Sequence, residues 1–220
     1  MKIVLAGSTG FIGGAVLQRC LAHPSITSII ALSRRPLGVS HPKLHTIIMT
    51  DFLQYTPEIL AQLEGAEACW WSLGYRRAGP EVHVDFTLAA VNAFAADLAS
   101  KMGEGRRFRF VYLSGAMTEK DQEKSLWLLS GTRKMRGTVE TALADFEREH
   151  AEMWQSVVVR PWYVTQDESA LLDYVIPARH IPVQELAAAV VDVVVVGDGK
   201  AFMENAELRE RGKSALRSLP

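Results

Sequence analysis

The sequence has few cysteines, no basic block and no apolar run long enough to span a membrane. Its two cysteines, Cys20 and Cys69, both lie in apolar segments, as is typical of buried thiols in a reducing compartment. The 24 lysines and arginines nearly balance the 25 acidic residues, so we expect neither nucleic acid nor an anionic membrane as a partner. The longest apolar run, from Leu186, is broken by Asp192 and falls short of the ~20 residues that a membrane span needs. These absences predict a soluble cytoplasmic protein.

Other classes are disfavoured by missing motifs. The apolar segment that follows Lys2 is too short for the core of an export signal. No spacing of Cys, His and Asp indicates a metal site, and no G-x-S-x-G elbow indicates a nucleophilic hydrolase. A chain of 220 residues with 48% hydrophobic content can still bury a substantial core. We therefore expect one domain over residues 1–220 and no metal.

What the sequence does contain is an alternation of strand-like and helix-like segments. Apolar runs typical of buried parallel strands are KIVLA, SIIALS, LHTIIMT, EACWWS, FRFVYLS and SVVVRP, and helix-like stretches separate them. This rhythm predicts an α/β fold, a Rossmann-like doubly wound parallel sheet with helices on both faces. We expect residues 1–161 to form this core. Residues 162–220 are expected to add a small substrate-side lobe that ends in a helix.

A glycine-rich loop directly follows the first predicted strand and opens the first predicted helix. Glycines at this position permit a tight turn and let backbone N–H groups approach a pyrophosphate at the helix N-terminus. The position after a strand and before a helix is more specific than the pattern itself. The loop therefore predicts a dinucleotide site, formed by Gly7, Ser8, Thr9, Gly10, Phe11, Ile12 and Gly13.

The end of the second predicted strand indicates which dinucleotide binds. An acidic residue about 20 residues beyond the loop would hold the ribose 2′-hydroxyl of NAD. Ser33, Arg34 and Arg35 stand there instead, and guanidinium groups favour the 2′-phosphate of NADP(H). The alternative is that the arginines are merely solvated. Asp51 and Phe52 end the third strand, where the adenine would lie, although either is equally well a turn residue.

Together these residues resemble the atypical short-chain dehydrogenases/reductases, a group that includes NAD(P)-binding, NmrA-like and epimerase-like proteins. The similarity is greatest to compact fungal members and covers roughly residues 1–165. It implies that the glycine loop binds the pyrophosphate and that Ser114, at the end of the fifth strand, is the active-site serine. A homodimer is expected by analogy alone. The resemblance also implies that one segment lines the ribose and nicotinamide, namely Trp71, Ser72, Leu73 and Gly74.

The resemblance fails at the family's Tyr-x-x-x-Lys pair. Aligning its lysine with Arg136 puts its tyrosine at Thr132, and no tyrosine lies between Tyr112 and Tyr163. In a reductase the phenol donates a proton as hydride arrives, and a neighbouring ammonium lowers its pKa. A threonine hydroxyl donates a hydrogen bond but is a far weaker acid. Arg136 retains a charge that can hold ribose oxygens, yet it does not relay protons.

Two other tyrosines are candidates for a relocated acid. Tyr75 and Tyr163 each follow a predicted strand at the carboxyl edge of the sheet, where ligands bind in open α/β folds. The alternative is that both are pocket walls or surface aromatics, and Tyr112 is expected in the core.

Two histidines, His83 and His180, are expected at the surface or as caps.

Three functions remain open. The leading one is an NADP(H)-dependent enzyme of secondary metabolism that reduces a carbonyl or enone of a small hydrophobic substrate, because tryptophans cluster near the strand ends. The second keeps the pocket but drops hydride transfer, as in an isomerase, dehydratase or cyclase. The third is a non-enzymatic dinucleotide sensor of the NmrA-like type.

Overall fold

The computed structural model describes residues 1–74, 79–167, 175–176, 179–197 and 199–218. Over these residues the chain forms a parallel sheet of seven strands in the order β3-β2-β1-β4-β5-β6-β9, and β7 pairs with β8 beside it. The strands are β1 Lys2–Ala6, β2 Ser28–Ser33, β3 Leu44–Ile48, β4 Ala68–Trp71, β5 Phe108–Leu113, β6 Trp154–Arg160, β7 Tyr163–Thr165, β8 His180–Pro182 and β9 Phe202–Glu204.

Helices cover both faces of the main sheet. One buried core joins α2, α3 and α4 to one face, and a second joins α1, α5 and α6 to the other. A π-helical turn, Glu81–Asp85, leads into α3 and packs against α4. The predicted fold class is therefore confirmed. The helices are α1 Phe11–Ala22, α2 Pro57–Leu63, α3 Phe86–Asp97, α4 Ser130–Glu149, α5 Val183–Val196 and α6 Asn205–Ser218.

The central strands are buried on both faces, which explains why they are continuous apolar runs rather than alternating ones. All four residues of β4 are buried. Trp70 and Trp71 point to opposite faces, as adjacent strand residues must, and each lies in a different core. Neither tryptophan lines the cavities described below.

The C-terminal part is divided between two roles. Helix α5 lies in the core that also contains α1, and β9 extends the main sheet by pairing with β6. The small β7–β8 ribbon begins three residues after the end of β6, at Tyr163, and forms a separate pair of parallel strands. The expected lobe of residues 162–220 thus also completes the sheet and one helical layer.

Both histidines are buried, so the expectation that they are surface or capping residues is wrong. His180 lies on β8, and His83 lies in the π-helical turn. The helical run Glu81–Lys101, which contains His83, has the length and apolar composition of a membrane-crossing helix, with 44% of its most apolar window buried inside the protein. A helix of a protein core meets the same test, and α3 contributes several core residues here.

The sheet topology fixes where ligands can bind. The direction in which successive strands are added reverses between β1 and β4. Strands β2 and β3 lie on one side of β1, and β4, β5 and β6 lie on the other side. Crevices outside the carboxyl ends of strands at such a switch point are the ligand sites of open α/β sheets. The predicted site residues follow the carboxyl ends of β1 to β6, except Thr132 and Arg136, which lie on α4.

Candidate dinucleotide and substrate site

The glycine loop is built so closely that side chains do not fit. Gly7 has φ of +89°, a conformation that favours glycine, and a Cβ there would lie 2.5 Å from the Ser72 Oγ. A Cβ on Gly13 would lie well inside 3.0 Å of the Gly7 carbonyl oxygen. The Gly10 N–H donates to that same carbonyl at 2.9 Å. The loop thus holds β1 and α1 together at backbone contact.

The N-terminus of α1 opens towards a cleft at the switch point. Gly10 is the N-cap and supplies no side-chain hydrogen bond to the first turn, so the helix presents backbone N–H groups and the positive end of its dipole. Beside it the Ser8 hydroxyl is buried without a hydrogen-bond partner among residues that the structure describes. The cleft, of about 380 Å³, is lined by Gly7, Ser8, Thr9, Leu32, Ser33, Arg34, Arg35, Phe52 and Leu73.

The two predicted phosphate-binding arginines lie exposed at the far end of this cleft. The Ser33 hydroxyl donates to the Arg35 carbonyl at 2.7 Å and accepts the Arg35 N–H at 3.3 Å. Ser33 therefore shapes the turn that presents the arginines. Arg35 also borders a neighbouring hollow of about 370 Å³, which it shares with Ser8 and Thr9. The arginines thus flank the glycine loop from the side of β2.

The residues predicted to flank the adenine have separate roles. Phe52 is buried, stacks on Phe86 at 5.7 Å between ring centroids, and lines the cleft. Asp51 is exposed and accepts the Leu53 N–H at 2.8 Å, which is an Asx turn. Asp51 does not line the cleft, so only Phe52 joins the glycine loop in one cavity.

The segment after β4 closes the cleft on its other side. Ser72 donates to the Ala6 carbonyl at 2.8 Å and contacts Gly7, while Leu73 lines the cleft. Gly74 has φ of +121°, and a Cβ there would lie 2.6 Å from the His83 ring. Sequence reasoning missed this placement of His83. Tyr75, one predicted catalytic candidate, lies outside the described residues.

A second cavity, of about 240 Å³, lies beyond the ends of β5 and β6. We call it the apolar cavity, because its walls are mostly hydrophobic. Its charged lining residues are arginines of α4, and its lining shares no residue with that of the dinucleotide cleft. The lining consists of Gly115, Ala116, Met117, Thr118, Leu129, Thr132, Arg133, Arg136, Pro161, Trp162 and Tyr163.

The structure brings Thr132 and Arg136 together in this cavity, one helical turn apart on α4, as their spacing predicts. The Arg136 guanidinium lies against Gly115, where a Cβ would collide with it. Burial lowers the pKa of Arg136, partly offset by Tyr112 and Glu140. Tyr112 is buried in the core as expected, and burial raises the pKa of its phenol.

Ser114 is placed next to this cavity but does not line it. Its hydroxyl donates to the Glu140 Oε1 at 2.5 Å and lies 2.9 Å from the Thr118 Oγ1. Glu140 is fully buried and pairs with Arg160 through two hydrogen bonds. The implied active-site serine therefore bonds to an internal ion pair. Sequence reasoning missed Glu140, although it follows Thr132 and Arg136 on the same helical face.

Tyr163 is brought to the rim of the apolar cavity, where it is 64% exposed beside Trp162. Arg179 lies over the Trp162 ring at 5.3 Å. Trp127 is 96% exposed in the loop that precedes α4. The cavity therefore has an aromatic mouth, with Tyr163 as the phenol nearest to Thr132 in its lining. No cluster of metal-binding side chains occurs within the described ranges.

No family model matches the chain. Leucinostatins biosynthesis cluster protein T of Purpureocillium lilacinum is 34% identical over 122 residues, which cover 52% of this chain and 42% of that protein. The match thus spans less than half of that relative. Protein fmp52-2, mitochondrial, of Aspergillus oryzae (strain ATCC 42149 / RIB 40) is 25% identical over 219 residues, covering 94% and 87%.

Two solved structures share the architecture. A short chain dehydrogenase from Burkholderia cenocepacia J2315, in complex with NADP, superposes with a TM-score of 0.70 at 15% identity, covering 99% of this chain and 94% of that one. MoeE5, in complex with UDP-glucose and NAD, has a TM-score of 0.62 at 17% identity, covering 100% and 83%. This chain has the short-chain dehydrogenase/reductase fold.

The resemblance predicted from the glycine loop is thus confirmed at the level of the fold. Proteins of this fold bind a nicotinamide dinucleotide in both structures, NADP in one and NAD in the other. The individual roles assigned to the site residues stay predictions, as does the choice between the two dinucleotides.

Proposed function

We propose that this protein is an NADP(H)-binding enzyme of the short-chain dehydrogenase/reductase type that reduces a carbonyl or enone of a small hydrophobic metabolite. The observation that carries the proposal is the glycine loop. Gly7 and Gly13 lie where no side chain fits, next to the unpartnered Ser8 hydroxyl. That cradle offers backbone N–H groups and a hydroxyl to a phosphate. The solved NADP complex of the same fold supports it.

The residues present fit a bound dinucleotide. The glycine loop and the N-terminus of α1 would hold its pyrophosphate, Arg34 and Arg35 its 2′-phosphate, and Phe52 would border the adenine. When bound, the cofactor supplies the hydride. Two exposed guanidiniums beside the loop favour the phosphorylated dinucleotide, and the cleft lining has no carboxylate among the described residues.

The chain itself must position the substrate and deliver a proton. Thr132 and Arg136 line the apolar cavity, where the hydroxyl can donate a hydrogen bond to a carbonyl oxygen and the guanidinium can stabilise developing negative charge. The proton itself would come from Tyr163 at the rim or from water, because neither Thr132 nor Arg136 is a practical acid.

The metabolic context is also part of the proposal. Leucinostatins biosynthesis cluster protein T belongs, by its name, to a biosynthetic cluster, which supports a role in secondary metabolism. We place the protein in the cytoplasm, acting on a small hydrophobic substrate and without nucleic acid or membrane partners. By analogy with the fold we also propose a homodimer.

A second function is favoured by one observation, the absence of any tyrosine between Tyr112 and Tyr163 in the sequence. On the family resemblance, Thr132 then takes the position of the usual phenol. A threonine beside an arginine can polarise a carbonyl without completing a reduction. An isomerase, dehydratase or cyclase on the same scaffold would use Thr132, Arg136 and Tyr163 in that way. A dinucleotide sensor of the NmrA-like type would instead bind cofactor without turnover.

The first test is a fluorescence titration of the purified protein with NADPH and with NADH. We expect NADPH to bind in the micromolar range and NADH at least tenfold more weakly. Arg35→Gln should remove that preference, with Arg148→Gln as the matched control, since Arg148 is an exposed arginine of α4. Absence of binding by either dinucleotide would contradict the proposal.

The second test separates reduction from the alternatives. A panel of ketones and enones is assayed for NADPH oxidation with the native protein, Tyr163→Phe and Thr132→Tyr. Restoring a phenol beside Arg136 should increase turnover, because an acid then reaches the cavity floor. Tight NADPH binding with no oxidation in any of the three proteins would favour the non-redox enzyme or the sensor.

A further inference from the structure

We infer that the apolar cavity binds a hydrophobic carboxylic acid, with the carboxylate on Arg136 and the apolar body against Leu129, Pro161 and Trp162. This inference names the substrate class of the site proposed above and therefore rests on that function. It comes from the half-buried Arg136 guanidinium in the cavity lining, which pairs with no carboxylate among the described residues.

Arg136 is the cation in question. Its guanidinium is half-buried and lines the apolar cavity. Among residues with a described position, it makes no hydrogen bond and no ion pair within 4.0 Å. Burying a charged group without a partner is costly, and such groups are normally paired. A guanidinium left in this state at the floor of a cavity is suited to a planar bidentate anion, which a carboxylate is.

The nearest internal carboxylate is already engaged. Glu140 lies one turn further along α4, but Arg160 contacts both of its oxygens, with Nε at 3.0 Å from Oε1. The Ser114 hydroxyl donates to the same Oε1 at 2.5 Å. Arg160 in turn pairs with Glu204 at 2.9 Å. Glu140 therefore influences Arg136 through space without capping its guanidinium.

The second arginine of the cavity is also engaged. The Arg133 Nε donates to the Met117 carbonyl at 2.6 Å, and its NH1 lies 3.4 Å from the Leu128 carbonyl. Arg133 thus ties down the loop that forms one wall, and its charge adds to the positive potential of the cavity. The lining contributed by described residues contains two arginines and no carboxylate. Electrostatic complementarity therefore selects an anionic ligand over a neutral one.

The size and walls of the cavity restrict that anion. A volume of about 240 Å³ equals that of about eight waters at ~30 Å³ each, which suits a ligand of one ring and a short acidic chain. The walls are aliphatic and aromatic, so a phosphate or sugar acid would leave its hydroxyls unsatisfied. The cofactor's ribose is the competing occupant for Arg136, but none of the described residues lines both the cavity and the dinucleotide cleft.

The experiment is isothermal titration calorimetry of the native protein with trans-cinnamate and with its neutral amide, cinnamamide, in the absence of cofactor. We expect cinnamate to bind at least tenfold more tightly. Arg136→Gln should abolish that preference, and Arg136→Lys should keep part of it. Arg148→Gln on the exposed side of α4 is the matched control and should behave as the native protein does. NADPH is titrated into the same variants.

Each outcome decides the matter. Equal binding of cinnamate and cinnamamide, or binding of neither, would overturn the inference. A loss of NADPH affinity in Arg136→Gln with cinnamate binding unchanged would assign Arg136 to the cofactor instead. If NADPH fails to bind the native protein while cinnamate binds through Arg136, the proposed redox function fails and the carboxylate site stands. Thermal melts check folding, and Arg136→Gln should melt no lower than the native protein, because it removes an unpaired buried charge.

Discussion

Two cavities lie at the carboxyl edge of the sheet, and they are built in different ways. We call the cleft beside the glycine loop the dinucleotide end and the apolar cavity the substrate end. At the dinucleotide end the backbone itself sets the geometry, because Gly7 and Gly13 are packed against other main chain with no room for a Cβ. At the substrate end side chains set the geometry, chiefly Thr132, Arg136 and Trp162 around the apolar cavity. A site made of backbone contacts cannot change without disturbing the fold. A site made of side chains can change those side chains and leave the sheet intact, so we expect the substrate end to tolerate substitution better than the dinucleotide end.

The strongest test of this difference is to add one methyl group to the backbone at the dinucleotide end. In Gly13→Ala the new Cβ would collide with the Gly7 carbonyl, which is main chain and cannot rotate away. We expect a loss of about 3 kcal/mol of unfolding free energy, at the upper end of overpacking costs, together with loss of NADPH binding. Urea denaturation measures the first and fluorescence titration the second. Gly131→Ala, at an open position in α4, is the control, and an equal loss there would contradict the steric account.

Next to the substrate end lies an ion pair between Glu140, which is fully buried, and Arg160, which is partly exposed. We expect this pair to tolerate substitution as poorly as the glycine loop does. Glu140→Gln leaves the guanidinium facing a neutral amide, and breaking a buried pair costs about 3–5 kcal/mol. We expect the melting temperature to fall by roughly 2–4 °C per kcal/mol in a chain of this size. Glu204→Gln, at the exposed end of the same network, should cost less than about 1 kcal/mol. Similar losses in both variants would show that burial of Glu140 does not raise the stability cost of removing its charge.

The same contrast explains what could be predicted from sequence. Six strands, the glycine loop and their common edge follow from local patterns, since each is a continuous apolar run or a glycine spacing. Glu140 could not be assigned because its partner Arg160 lies 20 residues away and on another element. Strand β9 has three residues, too few for a period. The burial of His83 depends on its packing against Gly74, which no local pattern reveals.

We expect side chains, rather than the backbone, to determine the choice of cofactor at the dinucleotide end. Arg34 and Arg35 are exposed and lie at the edge of the cleft, so replacing them leaves the fold unchanged. Arg35→Gln should weaken NADPH binding by about tenfold, or 1.4 kcal/mol, without affecting NADH. Raising the salt concentration should weaken NADPH binding more than NADH binding in the native protein. Parallel losses for both dinucleotides would place Arg35 against a part that they share.

The free energy of unfolding should depend on alkaline pH through two buried acids, one on α1 and one on β5. Burial raises the pKa of the Cys20 thiol, near the C-terminal end of α1, to about 12, and burial also raises the pKa of the Tyr112 phenol on β5. Both groups are neutral in the folded protein and ionise more easily once unfolded. Stability is therefore full below the unfolded-state pKa values, near 8.5 for the thiol and 10 for the phenol, and is lost as pH rises through and above them. Urea midpoints between pH 8 and 11 measure this, and Cys20→Ala should delay the decline.

The smallest expected effect is at Thr132, the residue that we predict to stand at the family's usual tyrosine position. Thr132 is half-buried on the first turns of α4 and lines the apolar cavity. Thr132→Val keeps the shape and removes the hydroxyl, so we expect less than about 1 kcal/mol of lost stability and unchanged NADPH affinity. Any turnover should fall, because the hydroxyl no longer donates to the substrate. A large loss of stability instead would mean that Thr132 is retained for packing, and the substrate end would then be as constrained as the glycine loop.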